Sequence, residues 1–369
     1  MVHLRSLSLL VGLALMAIVL WDAFEVVVLP RTVTRRVRLA RLYFRGTWRP
    51  WARIARRFDL DNRRERFLAI YGPLSLIGLL TVWAVGLIFG FAALHWSAGS
   101  RLVTPVGPAG FLDDLYLSGT MFFSAGLGEV HPVGGVARLL TVAEGGMGFG
   151  FLALVIAYFP VLYQSFSRRE IRLTLLDAWA GSPPAAAEVL RRLGEAGELK
   201  ALEQFLKDWE YWCSEVLESH ISYPVVAYFR SQHQRQSWVS ALAAVLDVSA
   251  LVIAGIEGLS TWQAHITFAI ARHAAVDLAQ VLRVSPDAAA VRLSQEDLEH
   301  LRRQLEDAGV HPDRSPEADA RLAELRRSYE PFVVGLGRSL MMPVPQWWRP
   351  GPMRDNWQTS PKSDGGPHL

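Results

Sequence analysis

The stretch with the strongest chemical character runs Asp113-Asp114-Leu-Tyr-Leu-Ser-Gly-Thr-Met-Phe-Phe-Ser124-Ala125-Gly126-Leu127-Gly128-Glu129-Val-His-Pro132. Two acids open it, and glycines alternate with larger residues near its end. What the spacing offers is main chain: glycines at alternate positions permit backbone angles that β-carbon residues resist. Alternating conformations aim successive carbonyls at one axis. Residues 113–123 read as a short helix, about 16 Å long at ~1.5 Å per residue. Asp113 and Asp114 at its N-terminus complement the positive end of the helix dipole. The negative end then points toward the following glycines, where a cation gains most from it.

A helix of that length cannot cross a bilayer, yet the stretch is too apolar for an exposed loop. Its neighbours explain this. Spanning helices need about 20 mostly apolar residues. Between Arg66 and Arg101 there is no Asp, Glu, Lys or Arg, so residues 67–95 form a span, with a bend expected near Gly72-Pro73. Between Arg138 and Arg168 the one charged side chain is Glu144, so residues 139–164 form another. The stretch between them must enter and leave on the same side. Such a re-entrant loop is tolerated only where protein or a water-filled path covers its backbone.

An N-terminal run, residues 5–29, is a further span, although Asp22 and Glu25 interrupt it. Those acids are expected at one end, within reach of headgroups and of the arginines that follow. Positive charge follows this run instead of preceding it, which favours a retained anchor over a signal peptide. Residues 31–66 hold thirteen arginines against Asp59, Asp61 and Glu65. Short arginine-rich loops stay cytoplasmic. The expected topology puts the N-terminus outside, 31–66 inside, 96–138 outside and everything after 168 inside, in a cell inner (plasma) membrane. Arg35, Arg38 and Arg41 recur every third residue, as in a voltage-sensing helix, but no companion sensor helices exist. An interfacial helix fits better, with Val37, Leu42, Tyr43, Phe44, Trp48 and Trp51 among lipid tails and the arginines at anionic headgroups.

Ser124-Ala125-Gly126-Leu127-Gly128 resembles the filter of the potassium channel family, commonly Thr-Val-Gly-Tyr-Gly then Asp. The likeness continues through Gly135-Val-Ala-Arg138-Leu and on to Glu144, and covers about residues 67–167. It implies an all-α membrane protein of pore-loop channel type: outer helix, re-entrant pore helix and filter, inner helix. To these are added the N-terminal transmembrane helix (1–30), the arginine-rich segment (31–66) and a helical cytoplasmic domain (168–342). The resemblance also implies a homotetramer in which potassium ions, as permeant substrate, exchange water for the carbonyls of Ser124, Ala125, Gly126 and Leu127. Glu129 replaces aspartate at the outer mouth. Ser124 keeps the hydroxyl at the filter's inner end. Leu127 cannot hydrogen-bond behind the filter as tyrosine does, so a weakly selective cation pore is the alternative. A non-conducting sensor or scaffold on the same fold is a third reading. Gly145, Gly146 and Gly148 of the inner helix read either as a gating hinge or as close helix packing. For Glu144, a bond to the back of the pore loop is expected.

The remaining sequence carries no cofactor signature. Overall, 51% of the 369 residues are hydrophobic, mean hydropathy is +0.19 and net charge is +3, which suits an apolar half joined to a polar half. A single cysteine, Cys213, excludes an intrachain disulfide and a cysteine-based metal cluster. No His-Glu-x-x-His, phosphate-loop or complete dinucleotide motif is present, so neither an enzyme nor a nucleotide-binding regulator is indicated. Nothing points to nucleic acid, and no cytoplasmic ligand is identified. Helices are expected at 168–179, 184–194, 198–219, 236–256, 262–283, 293–308 and 315–328. The run 236–256 is apolar enough to cross a membrane, but Asp247 at its centre marks it as a buried helix of the soluble domain. The proline-rich tail, 343–369, is expected to be disordered.

Overall fold

A computed structural model describes residues 2–29, 38–58, 62–105, 107–233, 235–349, 351, 355 and 356. It divides into two compact units, Met1–Tyr163 and Gln164–Leu369. Among the described residues, four helices are long and apolar enough to cross a membrane: within His3–Val28, Arg63–Ser97, Gly135–Ala180 and Trp238–Gly255.

In the first unit, α1 (Val2–Ala23) ends in a π-helical turn, Phe24–Val28, and packs along α3 (Asn62–Ser97). Small residues let the two backbones approach. A β-carbon on Gly12 would stand 2.8 Å from the Gly90 carbonyl oxygen. Helix α3 is one element straight through Pro73. Of the two acids of the first span, Glu25 reaches an arginine that follows, as expected, and Asp22 differs. Asp22 is buried and accepts hydrogen bonds from Trp83 Nε1 and the Ala40 amide, both at 3.0 Å. Glu25 accepts from Trp21 Nε1 at 2.7 Å and pairs with Arg38 at 3.2 Å. Protein donors thus take the place of headgroups around Asp22.

Helix α2 (Leu39–Ala55) corrects a second expectation. Its aromatic side packs on α3, not among lipid tails. Trp51 stacks on Phe67 with ring centroids 4.4 Å apart, and Trp48 meets Tyr71 edge-on at 4.8 Å. The Tyr71 hydroxyl donates to the Phe44 carbonyl at 3.1 Å. Ring-to-ring burial removes the same apolar area from water that lipid contact would. Arg31, Arg35, Arg36, Val37, Asp59 and Asp61 lie outside the described residues.

After α3 come β1 (Leu102–Val103), α4 (Phe111–Phe122), β2 (His131–Pro132) and the long α5 (Gly135–Ala180). Strands β1 and β2 pair antiparallel, Leu102 opposite Pro132 and Val103 opposite His131. The Val133 amide extends the clasp to the Arg101 carbonyl at 2.7 Å.

The second unit holds the end of α5 with α6 (Ala186–Ala196), α7 (Ala201–Ser222), α8 (Trp238–Gly255), α9 (Trp262–Val281), α10 (Gln295–Asp307) and α11 (Pro316–Leu340). Helix α5 carries the third span on to Ala180 without a break, and α11 continues past 328 through Pro331. Helix α8 is buried from Trp238 to Ala254, enclosed by its own domain. Its central Asp247 is neutralised there: Arg292 donates two hydrogen bonds, at 3.0 and 2.6 Å, and the Tyr329 hydroxyl a third at 2.6 Å. The expected disorder of the tail fails at its beginning. Trp347 is fully buried and donates Nε1 to Glu330 at 3.1 Å, and Trp348 donates to Asp297 at 3.0 Å. Two indoles supply enough apolar area and polar anchoring to order the proline-rich chain around them. Trp357 and residues 358–369 lie outside the described residues.

Candidate functional site

Helix α4 begins where Gly110 adopts an extended backbone and Asp113 turns back, its Oδ2 accepting from the Gly110 amide at 2.8 Å. Asp114 points the other way, into the protein, and is fully buried. The helix ends at Phe122. The Ser124 amide then bonds the Met121 carbonyl at 3.0 Å, and the Ala125 amide bonds that of Thr120 at 2.7 Å. These bonds set the direction in which residues 124–128 depart.

From there the backbone alternates. Ser124, Gly126 and Gly128 have φ of +54°, +47° and +77°, while Ala125 and Leu127 between them do not enter the left-handed region. Glycine at 126 and 128 supplies what a β-carbon resists, and Ser124 carries that strain. Residues 123–129 are exposed in the single chain, Phe123 to 69% and Leu127 to 63%. Glu129 belongs to this exposed group. The β1–β2 pair joins both ends of the 104–130 excursion, so the chain leaves and returns at one place.

Behind α4 lies a cluster of buried polar groups drawn from several elements. Glu144 of α5 is fully buried, with Oε2 3.7 Å from His95 Nε2 at the end of α3. Asp114 accepts from the Ser100 hydroxyl at 2.6 Å, and Ser118 sits one turn further along α4, also buried. Both Glu144 oxygens, Asp114 Oδ1, Ser118 Oγ and His95 Nε2 lack a hydrogen-bond partner among the described residues. The cluster ties outer, pore and inner helices at one depth. Sequence reasoning marked Glu144 and Asp114 but missed His95, Ser100 and Ser118. The available signal was the i, i+4 spacing of Asp114 and Ser118, which puts both on one helix face.

The glycines of α5 separate by environment. A β-carbon on Gly148 would overlap the Phe122 carbonyl oxygen, so this glycine seats α5 against the end of α4. Gly145 and Gly146 have open space at the same position. Along the rest of α5, Val142, Phe149, Ile156 and Tyr163 recur every seventh residue and are exposed.

Short helix, alternating strand and flanking spans define an all-α membrane protein with a pore-loop domain. Residues 78–164 match the family model described as ion channel. Among curated proteins, the uncharacterized membrane protein YdjJ of Bacillus subtilis (strain 168) is 22% identical over 191 residues, 51% of this chain and 54% of the relative. The chain therefore spans about half the length of that relative. No solved structure matches significantly.

Proposed function

We propose that four copies of the chain enclose an axial pore that passes cations, potassium ahead of sodium. Carbonyls of Ser124, Ala125, Gly126 and Leu127 would replace the ion's water shell. The observation that carries this is the left-handed backbone at 124, 126 and 128, directly after a helix whose negative end faces it. A second support is exposure. Backbone at membrane depth has to be covered by protein or line a water path, and one chain leaves residues 123–129 open. Glu129 would stand at the outer mouth, and Gly145–Gly146, free of contacts, would be the hinge beside the fixed Gly148. The topology follows the arginine asymmetry, with residues 31–66 and the C-terminal domain in the cytoplasm.

A weakly selective cation pore is the second reading, favoured by Leu127, whose side chain is exposed and has no hydroxyl to brace the filter. Potassium and sodium flux from liposomes separates the two. The first reading expects potassium to exceed sodium and Gly126→Ala to abolish flux, with a native mass of four chains. Flux unchanged by Gly126→Ala would remove these residues from the ion path.

A further inference from the structure

Helix α2 is held in a fixed orientation by Trp48, Trp51, Thr47 and Tyr71 against the point where α3 becomes wholly apolar. That packing decides what its opposite side presents. Arg45, Arg49 and Arg53 are exposed there at i, i+4 spacing, and Arg56 at the C-cap and Arg57 in the turn after it are exposed as well. The helix contains no Asp or Glu, and among the described residues none of these five makes an ion pair. Like charges at that spacing disfavour a helix. Among the described residues the helix thus carries a cationic row with no acid of its own.

We propose that this row binds the anionic phospholipid headgroups of the membrane in which the chain sits. The proposal stands whether or not the pore conducts. Three features select the occupant. The row from Arg45 to the C-cap Arg56 is about 16 Å long at ~1.5 Å per residue, too long for one phosphate but matched to an array of headgroups. Leu42, Ile54 and Phe58 are exposed on and beside it, and would enter the acyl boundary, which a soluble polyanion does not offer. Its buried side is the membrane span itself, so the row lies at the edge of the bilayer.

The test uses the full chain in detergent with phosphatidylglycerol or phosphatidylcholine added, reading bound lipid by native mass spectrometry. With each arginine near an anionic surface contributing about 1 kcal/mol, phosphatidylglycerol is expected to be favoured at least ~fivefold, and less at high salt. The variant Arg45→Gln/Arg49→Gln/Arg53→Gln should lower that preference to within ~twofold, while Arg283→Gln/Arg303→Gln/Arg327→Gln, with the same charge change elsewhere, keeps it. An unchanged melting temperature in phosphatidylcholine shows that the first variant folds. Should it not fold, the native chain's salt dependence decides. No preference in the native chain, a preference insensitive to salt, or one retained by the α2 variant would overturn the proposal. So would complete competition by free glycerol phosphate or by duplex DNA, which would assign the row to a soluble anion.

Discussion

His95 and Glu144 meet in a setting where neither has a spare partner. Removing one member of a buried pair leaves the other uncompensated, which usually costs several kcal/mol. His95→Ala is expected to destabilise the first unit by about 2–4 kcal/mol, and adding Glu144→Gln should recover part of that loss. Unfolding of the single and double variants in detergent checks this. Additive losses would mean that the two residues act separately. Gly148→Val should distort the end of α4, costing about 1–3 kcal/mol from overpacking and abolishing flux. Gly145→Ala meets open space and should leave stability nearly unchanged, while a hinge at this position predicts altered flux. His220 offers a pH-dependent case in the second unit. Its Nδ1 donates to the Val216 carbonyl at 2.8 Å, so Nε2 must accept from the Arg169 guanidinium, at 3.2 Å. Burial first, then the Arg169 charge, hold its pKa well below the usual value. The folded chain keeps His220 neutral while the unfolded chain protonates below about pH 6.5. Stability should therefore be full above that pH and fall by up to about 1.4 kcal/mol per unit below it. Unfolding measured from pH 7 to 5 should show that slope, and His220→Gln should flatten it.

Among the elements, those legible in the sequence are the ones whose signal is local. The charge-free run 67–95 and the single acid in 139–164 suffice to place two spans. The short helix between them follows from length and the paired acids. What escaped depends on partners distant in sequence. Nothing near Trp48 says that Tyr71 will cover it, so the aromatic side of α2 read as lipid-facing. His95 closes an apolar run and gains meaning only when Glu144 is brought to it. Trp347 sits in a composition typical of disorder, and only the pocket beside Glu330 orders it. Trp347→Ala is accordingly expected to destabilise the second unit by about 3–5 kcal/mol, read by denaturant unfolding. A loss below 1 kcal/mol would return this part of the tail to the disordered class.

For the whole molecule, the proposed assembly bears on the inner helix. Val142, Phe149, Ile156 and Tyr163 repeat every seven residues, the period at which helices keep one seam toward a neighbour. Isolated chains leave that seam and residues 123–129 open together. Four copies around an axis would cover both at once. Native mass spectrometry of the detergent-solubilised chain should therefore give four chains per particle, and Phe149→Lys should reduce it toward single chains.

The clasp between Leu102–Val103 and His131–Pro132 has a further consequence. Because it fastens departure to return, the segment between them leaves and re-enters the protein as a closed bight. Flanking helices need not shift when its exposed part, residues 123–129, changes, whereas Asp114, Ser118 and Phe122 are keyed into them. Evolution could exchange that exposed sequence while the scaffold stayed put, and an experimenter splicing in a foreign loop at the same two strands would have to keep Asp114, Ser118 and Phe122 to inherit that freedom.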